Sequence, residues 1–331
     1  MRAWQVGELG EPAAVMRLAE DVPRPVPGPG QLLVRVRAAA VNFPDALMVR
    51  GHYQVRPPLP FTPGVELCGE VADGARRGER LIGTPVLPHG AFAEYALLDA
   101  AAAFPAPEVL DDAEAAALHI GYQTAWFALH RRARLRSDET LLVHAASGGV
   151  GSAAVQLGKA AGARVIAVVG GAAKAETARA LGADVVVDRT AEDFVAAVKL
   201  ATGGRGADVV FDPVGGDAYT GSTRCIAFEG RIVVVGFAAG QIPTAALNHA
   251  LVKNYAILGL HWGLYNTHDP RAVRTAHDEL TKLAEQGVVR PLVSDRVPLA
   301  GAAEAVQRVA DGRTTGRIAV LGERLGERLG E

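Results

Sequence analysis

Thr140-Leu-Leu-Val-His-Ala-Ala-Ser-Gly-Gly-Val-Gly151 passes from an apolar strand into glycines that open a helix. The chemistry such an order supports is anion binding. Backbone N–H groups and the positive end of the helix dipole face a phosphate, and the glycines let it approach closely. The pattern is a variant of G-x-G-x-x-G, with Ala146 in the first glycine's place and Gly148 and Gly151 in the second and third. The anion it fits is the pyrophosphate of a dinucleotide, which makes Ser147, Gly148, Gly149, Val150 and Gly151 candidate contacts. A carboxylate about 20 residues further on would bind a ribose 2′-hydroxyl. Here the next strand ends Val168-Val169-Gly170-Gly171, and Lys174 follows. A carboxylate would repel a 2′-phosphate and a lysine attracts it, so Gly170 and Lys174 favour NADPH. The plainer reading of Lys174 is a solvated charge at a helix start, where its sign is unfavourable to the dipole.

Such a loop needs a parallel sheet behind it. The helix after Gly151 is lined with Ser152, Ala153, Ala154, Ala160 and Ala161 and ends at Gly162, a natural position for a left-handed residue. Apolar runs then recur: Arg164–Val169, Asp184–Val187, Asp208–Phe211, Arg231–Val235 and Tyr255–Gly259. They are short, continuous and rich in valine, as strands buried on both faces are. A helical segment, Ala172–Leu181, separates the first two. The spacing predicts about six parallel strands in a doubly wound α/β sheet.

The first hundred residues read differently. Val22-Pro-Arg-Pro-Val-Pro-Gly-Pro-Gly30 is a stiff connector before a strand at Gln31–Ala40. Short strands and many prolines follow through Pro107, with helical periodicity only around Asp45–Val49, as in a mostly antiparallel barrel. Asp111–Leu129 supplies the crossing helices. Two amphipathic helices, Pro270–Gln286 and Leu299–Asp311, lead to a closing strand at Gly316–Leu321, and the chain ends in a tandem repeat from Gly322.

Composition narrows the function. The chain has 331 residues, 49% of them hydrophobic, and a formal net charge of −2. That balance offers no electrostatic attraction to nucleic acid or an anionic membrane. No apolar run is long enough to span a bilayer and no charged-then-apolar leader opens the chain, so a cytoplasmic protein is expected. Cys68 and Cys225, far apart, give no disulfide framework. No tyrosine is followed four residues later by lysine, and Gly158-Lys159 continues with Ala160, which rules out a P-loop. Neither a Gly-x-Ser-x-Gly elbow nor a His-Glu-x-x-His helix occurs. His144, beside the glycine loop, reads as a packed strand residue.

With these segments in place, the chain resembles the medium-chain dehydrogenase/reductase superfamily, in its zinc-independent quinone oxidoreductase branch. The likeness covers nearly the whole chain. It rests on Val41-Asn-Phe-Pro-Asp-Ala-Leu-Met-Val-Arg-Gly-His-Tyr53, on Pro57-Pro-Leu-Pro-Phe-Thr-Pro-Gly-Val-Glu66, on the glycine loop, on Phe211-Asp-Pro-Val-Gly-Gly216 and on Gly312-Arg-Thr-Thr-Gly-Arg-Ile318. The resemblance implies a GroES-like barrel domain, 1–120 and 264–331, and a Rossmann NADP-binding domain, 121–263, with the cofactor in the cleft. It places Asn42 near the nicotinamide and Tyr53 facing the acceptor, with Asp45 beside them in the catalytic group. Asn42 and Asp45 are equally well read as a helix cap and its first-turn partner, and Tyr53 as a half-buried aromatic. Thr124 matches a cofactor-contacting hydroxyl, with helix N-capping as the plainer reading. Lys174 and Arg189 match the residues around a 2′-phosphate, although Asp188 stands where the family often has tyrosine. Leu47 replaces a second tyrosine of related enzymes, which makes the acceptor pocket more apolar. Phe237 and Trp262 fall at strand ends that face the cleft, Phe237 toward the cofactor and Trp262 toward substrate. Trp262 reads as well as a core or interface aromatic.

Zinc enzymes of the superfamily carry a ligand histidine in a Gly-His-Glu motif, where this chain has Gly64-Val65-Glu66. Valine cannot bind a metal and no cysteine precedes Cys68, so no metal site is expected. The expected activity is hydride transfer from NADPH to a quinone. The enzymatic alternative is reduction of an enone or enoyl thioester double bond, and the non-enzymatic one is an NADPH-binding sensor or structural protein. The expected partners are a small-molecule acceptor and a second copy of the chain, joined through the edge strand Tyr255–Gly259.

Overall fold

In the computed structural model, which describes residues 1–322, the expected elements resolve into two compact units. The first contains Met1–Ile120 and the described chain from Arg290 onward; the second is Gly121–Val289. Apart from Gly322, the closing repeat lies outside the described residues.

In the first unit β1 (Ala3–Val6) pairs antiparallel with β2 (Met16–Ala19). The main sheet is built on β3 (Gln31–Ala40), with β4 (Leu67–Val71), β5 (Arg80–Gly83) and β7 (Phe104–Pro105) in succession on one side and β6 (Tyr95–Asp99) also paired to β3. These pairings are all antiparallel, as the short proline-punctuated runs predicted. The helix Phe43–Val49 begins with Pro44 in its first turn, a position where the missing N–H costs nothing.

The second unit holds the parallel sheet. Its strands are β8 (Thr140–His144), β9 (Arg164–Val169), β10 (Val185–Asp188), β11 (Ala207–Asp212), β12 (Ile226–Val234) and β13 (Ala256–Gly259). They lie in the order β10-β9-β8-β11-β12-β13, all parallel. The order reverses between β8 and β11, and a ligand crevice forms outside the carboxyl ends of the strands at such a reversal. One strand exceeds its expected span: β12 starts at Ile226 and runs through Gly230, where a Cβ would lie 2.6 Å from the Ile226 side chain. Both faces of β8 and β9 are buried, which is why these strands read as unbroken apolar runs. None of the described helices is long and apolar enough to cross a membrane.

Returning to the first unit, β14 (Val293–Pro298) pairs parallel with β15 (Arg317–Leu321), which pairs antiparallel with β3. The second domain boundary therefore differs from expectation, falling at Val289/Arg290 rather than at residue 264. The physical reason is helix Pro270–Glu285, which buries Val273, Ala276, His277, Leu280 and Ala284. Its Glu279 accepts from Trp126 Nε1 at 2.8 Å, tying it to the second unit. The helix expected at Asp111–Leu129 runs Asp112–Trp126 and continues as a π-helical segment, Phe127–Arg132.

The closest approach in the second unit is at Gly151, where a Cβ would stand 2.1 Å from the Ala145 carbonyl oxygen. Gly151→Ala is expected to destabilise the protein by more than about 2 kcal/mol, as overpacking against rigid backbone does. Thermal denaturation against the parent chain checks this, and an unchanged melting temperature would show that the loop is not held as described.

Candidate functional site

The loop between β8 and helix Gly149–Ala160 is set by backbone geometry. Ala145 adopts a left-handed conformation, φ 48°, and the Ala146 N–H donates to Val168 O of β9 at 3.1 Å. Gly148 N–H then donates to Ala145 O at 2.8 Å, closing the turn, and Gly148 caps the helix in extended conformation. The first-turn N–H groups of Gly149, Val150 and Gly151 have no carbonyl a turn earlier to bond within the helix, and the positive end of the helix dipole lies with them. Ser147 is buried in the turn. The five residues expected to hold a pyrophosphate thus form one continuous turn.

At the carboxyl end of β9, Gly170 and Gly171 lead into helix Ala172–Ala180, which carries the half-buried Lys174. Arg189 is exposed and folds over Gly170: a Cβ there would lie 3.2 Å from Nη2 of the guanidinium. Gly170 and Arg189 are therefore together. Asp188, the departure from the family pattern, turns its Oδ1 back on the chain. It accepts from Gly171 N–H at 2.8 Å, from Thr190 N–H at 3.0 Å and from the Thr190 hydroxyl at 2.7 Å, and these bonds hold its carboxyl below the usual carboxylate range. Its charge fixes the Gly170–Gly171 turn.

Across the reversal, β11 ends at Asp212, whose Oδ1 accepts from Val214 and Gly215 N–H at 2.9 and 3.0 Å. Phe237, after β12, is partly exposed and lies over Gly215, where a Cβ would come 2.8 Å from the ring. His144 is the packed strand residue it was expected to be. Ser222 spends its one hydroxyl proton on Ala218 O at 2.7 Å, so His144 Nε2 is the donor in its 2.8 Å bond to Ser222 Oγ. Burial pushes the imidazole down to about 4.

Two expectations change here. Thr124 is buried near the C-terminal end of helix Asp112–Trp126, so the N-capping reading fails; the hydroxyl has no helix start to cap. Trp262 is buried, with Nε1 donating to Gln123 Oε1 at 3.2 Å, and so meets the core reading rather than an open substrate wall. A cavity of about 250 Å³ opens nearby, lined by Arg132, Gly259, Leu260, His261, Leu264, Tyr265 and His268; none of the expected site residues lines it.

In the first unit Asn42, Asp45 and Tyr53 come together around helix Phe43–Val49. Asp45 is fully buried: Oδ2 accepts from Asn42 N–H at 2.7 Å and Oδ1 from Gly64 N–H at 3.0 Å. Burial raises its pKa to about 7 against these bonds. Asp45 meets the cap-partner reading: it staples the start of the helix to the Gly64 loop, with both oxygens on backbone. Tyr53 is half-buried, its hydroxyl pKa raised by burial and by the Asp45 charge. Asn42 is 2% exposed, and its Nδ2 donates to Ala40 O at 3.0 Å and to Glu66 Oε2 at 2.8 Å. Arg317, from β15, donates Nη1 to Asn42 Oδ1.

Glu66 and Arg317 are the residues that sequence reasoning missed. Both sit inside quoted motifs, and the signal available was a charged residue within an otherwise apolar strand end. Among the described residues, no three His, Cys, Asp or Glu side chains gather where they could hold a metal ion. Val65 has no ligand atom, and the Cys68 thiol is pushed up to about 12 by burial, so the donors present do not fit a zinc.

Comparison with known proteins agrees with this architecture. Residues 28–108 match the model of the alcohol dehydrogenase GroES-like domain and 149–282 that of the zinc-binding dehydrogenases. The chain is 36% identical to the quinone oxidoreductase-like protein 2 homolog of Nematostella vectensis, over 96% of this chain and 88% of that one. It superposes on the quinone oxidoreductase of Thermus thermophilus, solved also as its complex with NADPH, with a TM-score of 0.85 at 33% identity, covering 97% and 100% of the two chains. It is also 33% identical, over 88% of its length, to 14% of a mycocerosic acid synthase-like polyketide synthase of Mycobacterium tuberculosis.

Because Asp45 has a raised folded pKa, the folded state binds more protons than the unfolded between the usual carboxylate range and about 7. Its contribution to stability is complete in acid and falls as pH rises through that window. Asp45→Asn cannot ionise. The melting temperature of D45N relative to the parent is expected to rise by about 5 °C between pH 5 and pH 8. Differential scanning calorimetry at the two pH values checks the sign, and parallel curves would refute it.

Proposed function

The chain belongs to the quinone oxidoreductase branch of the medium-chain dehydrogenase/reductase superfamily and is an oxidoreductase; from that premise we propose that it transfers a hydride from NADPH to a quinone without a metal. The observation that carries the cofactor assignment is the end of β9, where Gly170 and Arg189 lie together, Lys174 follows, and Asp188 spends its Oδ1 on Gly171 and Thr190. On this reading Ser147, Gly148, Gly149, Val150 and Gly151 hold the pyrophosphate, and Lys174 and Arg189 hold the 2′-phosphate. Thr124 and Phe237 border the nicotinamide half, Asn42 orients it, and Tyr53 faces the acceptor.

Bound NADPH supplies the hydride. The chain's own work is orientation and exclusion of water. The loop glycines seat the phosphates by backbone contacts, and the buried Asn42, held from both sides, presents a fixed polar group. Zinc has no place in the mechanism because the donor set does not fit it. The one proton that completes a hydroquinone comes from water.

A second reading is favoured by the similarity to a polyketide synthase segment: reduction of a conjugated carbon–carbon double bond. That substrate is protonated at carbon, and Tyr53 is the hydroxyl the reading would use. The reading also includes a homodimer. β13 lies at the end of the sheet, and the exposed Leu251 and Val252 precede it on the neighbouring helix.

Two measurements test the proposal. Lys174→Ala combined with Arg189→Ala should raise KM for NADPH by at least about tenfold and leave KM for NADH nearly unchanged, the signature of lost charge-assisted bonds to a phosphate. Equal effects on both coenzymes would overturn the assignment. Tyr53→Phe should spare quinone turnover and abolish enone turnover; NADPH consumption over a panel of both acceptors, with and without chelator, separates the readings. Binding of NADPH without oxidation across the whole panel would leave only a sensor.

A further inference from the structure

Four arginines, Arg131, Arg132, Arg134 and Arg136, crowd into six positions of a chain whose net charge is −2. They span the end of the π-helical segment Phe127–Arg132 and the turn that leaves it for β8. Two are paired: Arg131 with Asp269 at 3.2 Å, and Arg136 with Asp138 at 3.4 Å and Glu139 at 3.0 Å. Among the described residues, the exposed guanidinium groups of Arg132 and Arg134 have no hydrogen-bond or ion-pair partner. Both line one cavity of about 350 Å³, together with Arg136, Arg231, Glu229 and Leu258.

The wall that carries Arg134 is pinned to the sheet. Arg231, on β12, donates Nε and Nη2 to Ala133 O at 3.0 and 2.8 Å, and its Nη1 and Nη2 each meet a Glu139 oxygen at 2.8 Å. Glu139 is 3% exposed, so this bidentate pair is rigid and the charge of Arg231 is balanced within it. The charges of Arg132 and Arg134 are left over, with Glu229 the one carboxylate on the cavity wall. Arg134 and Glu229 also share a backbone peculiarity, φ 51° and 56°. That left-handed region is costly for any side chain and is usually given to glycine or asparagine. Strain of this kind gathers at ligand clamps. Where glycine would relieve it, the chain carries a guanidinium.

We propose that Arg132 and Arg134 form a second anion site, built for a phosphoryl group. Two uncompensated guanidinium groups match the two charges of a phosphate dianion, and their forked N–H donors match its oxygens. The site is separate from the glycine turn. Arg231 is level with Leu141 of β8 through β11, whereas the turn opens at Ala145, beyond the carboxyl end of β8 and two strands across. Strand geometry puts the two about 16 Å apart. Arg132 also lines the cavity that holds Leu260, Leu264 and Tyr265, so the carbon part of a phosphate ester has an apolar wall within reach of the same guanidinium.

The arginine Nε–Hε ¹⁵N–¹H resonances of the full chain test it, those of Arg132 and Arg134 being assigned by their loss in R132Q and R134G. At constant ionic strength balanced with sodium chloride, inorganic phosphate should move both resonances saturably, and acetate should not. Each variant should weaken phosphate at least about fivefold, read on the guanidinium that remains. R134G places the favoured residue at a left-handed position, so its melting temperature should not fall, which separates a ligand role from a structural one. E229Q removes the one opposing charge and should bind phosphate more tightly. Phosphate at the glycine turn would move the backbone amides of Gly149–Gly151 instead, so the two sites are read apart. Phenyl phosphate distinguishes the sources: tighter binding than inorganic phosphate assigns an ester, and equal binding assigns free phosphate.

Resonances that move no further with phosphate than with acetate would overturn the proposal, as would parent-like phosphate affinity in R132Q and R134G. A fall in the melting temperature of R134G would assign Arg134 to the fold and overturn it equally.

Discussion

The structure depends first on how near helix Gly149–Ala160 lies to the strands beneath it. That nearness is permitted by two missing methyl groups. At Gly151 a Cβ would meet the Ala145 carbonyl at 2.1 Å, and at Gly158 it would meet the Leu141 side chain at 2.5 Å. With both ends of the helix drawn down, its N-terminus is brought over the end of β8, where its dipole and unpaired N–H groups are concentrated. The Ala145 turn, in left-handed conformation, and the bond from Ala146 to Val168 follow from the same approach. Backbone alone builds this part of the site, which is why its side chains are small.

The first unit solves a different problem. Asp45, Glu66 and Arg317 put two carboxyl groups and one guanidinium out of reach of water. Buried charge is tolerated only when paired and hydrogen-bonded. One carboxyl is balanced by the guanidinium and shares an amide with it. The other, Asp45, is left with backbone N–H groups, and burial raises its pKa to about 7. The cluster is thus electrically neutral when Asp45 carries its proton and anionic when it does not. Tyr53 feels that change directly, since the Asp45 charge raises the pKa of its hydroxyl.

Much of the second unit was legible in the sequence because its determinants are local. Strands buried on both faces are unbroken apolar runs, and Arg164–Val169 emerged with the bounds its residues implied. The glycine loop announced itself through the spacing of three small residues. What escaped detection was long-range. Glu66 and Arg317 lie far apart in sequence and meet only because β15 is hydrogen-bonded to β3, a pairing no local pattern encodes. The domain boundary at Val289/Arg290 was hidden for the same reason, since helix Pro270–Glu285 has an apolar stripe that could face either unit. Asp45 was legible as the first-turn partner of a helix cap, and the structure bears that reading out, but its second bond, from Gly64 N–H, is long-range and no local pattern announced it.

The two units therefore differ in how mutation can change them. On the proposed reading, phosphate binding built from backbone N–H groups tolerates little change in the glycines and more change in exposed neighbours other than Lys174 and Arg189. The charged cluster of the first unit behaves in the opposite way. Asn42 keeps its orientation only while a carboxylate stands on one side and a guanidinium on the other. Replacing either by a neutral group leaves the remaining charge buried and uncompensated, which is costlier than replacing both. Acceptor preference is then expected to vary through Leu47, Tyr53 and their neighbours, which carry no share of that charge balance. Glu66, Asn42 and Arg317 can change only together, so the start of helix Phe43–Val49 is fixed where, on the proposed reading, the acceptor half is free.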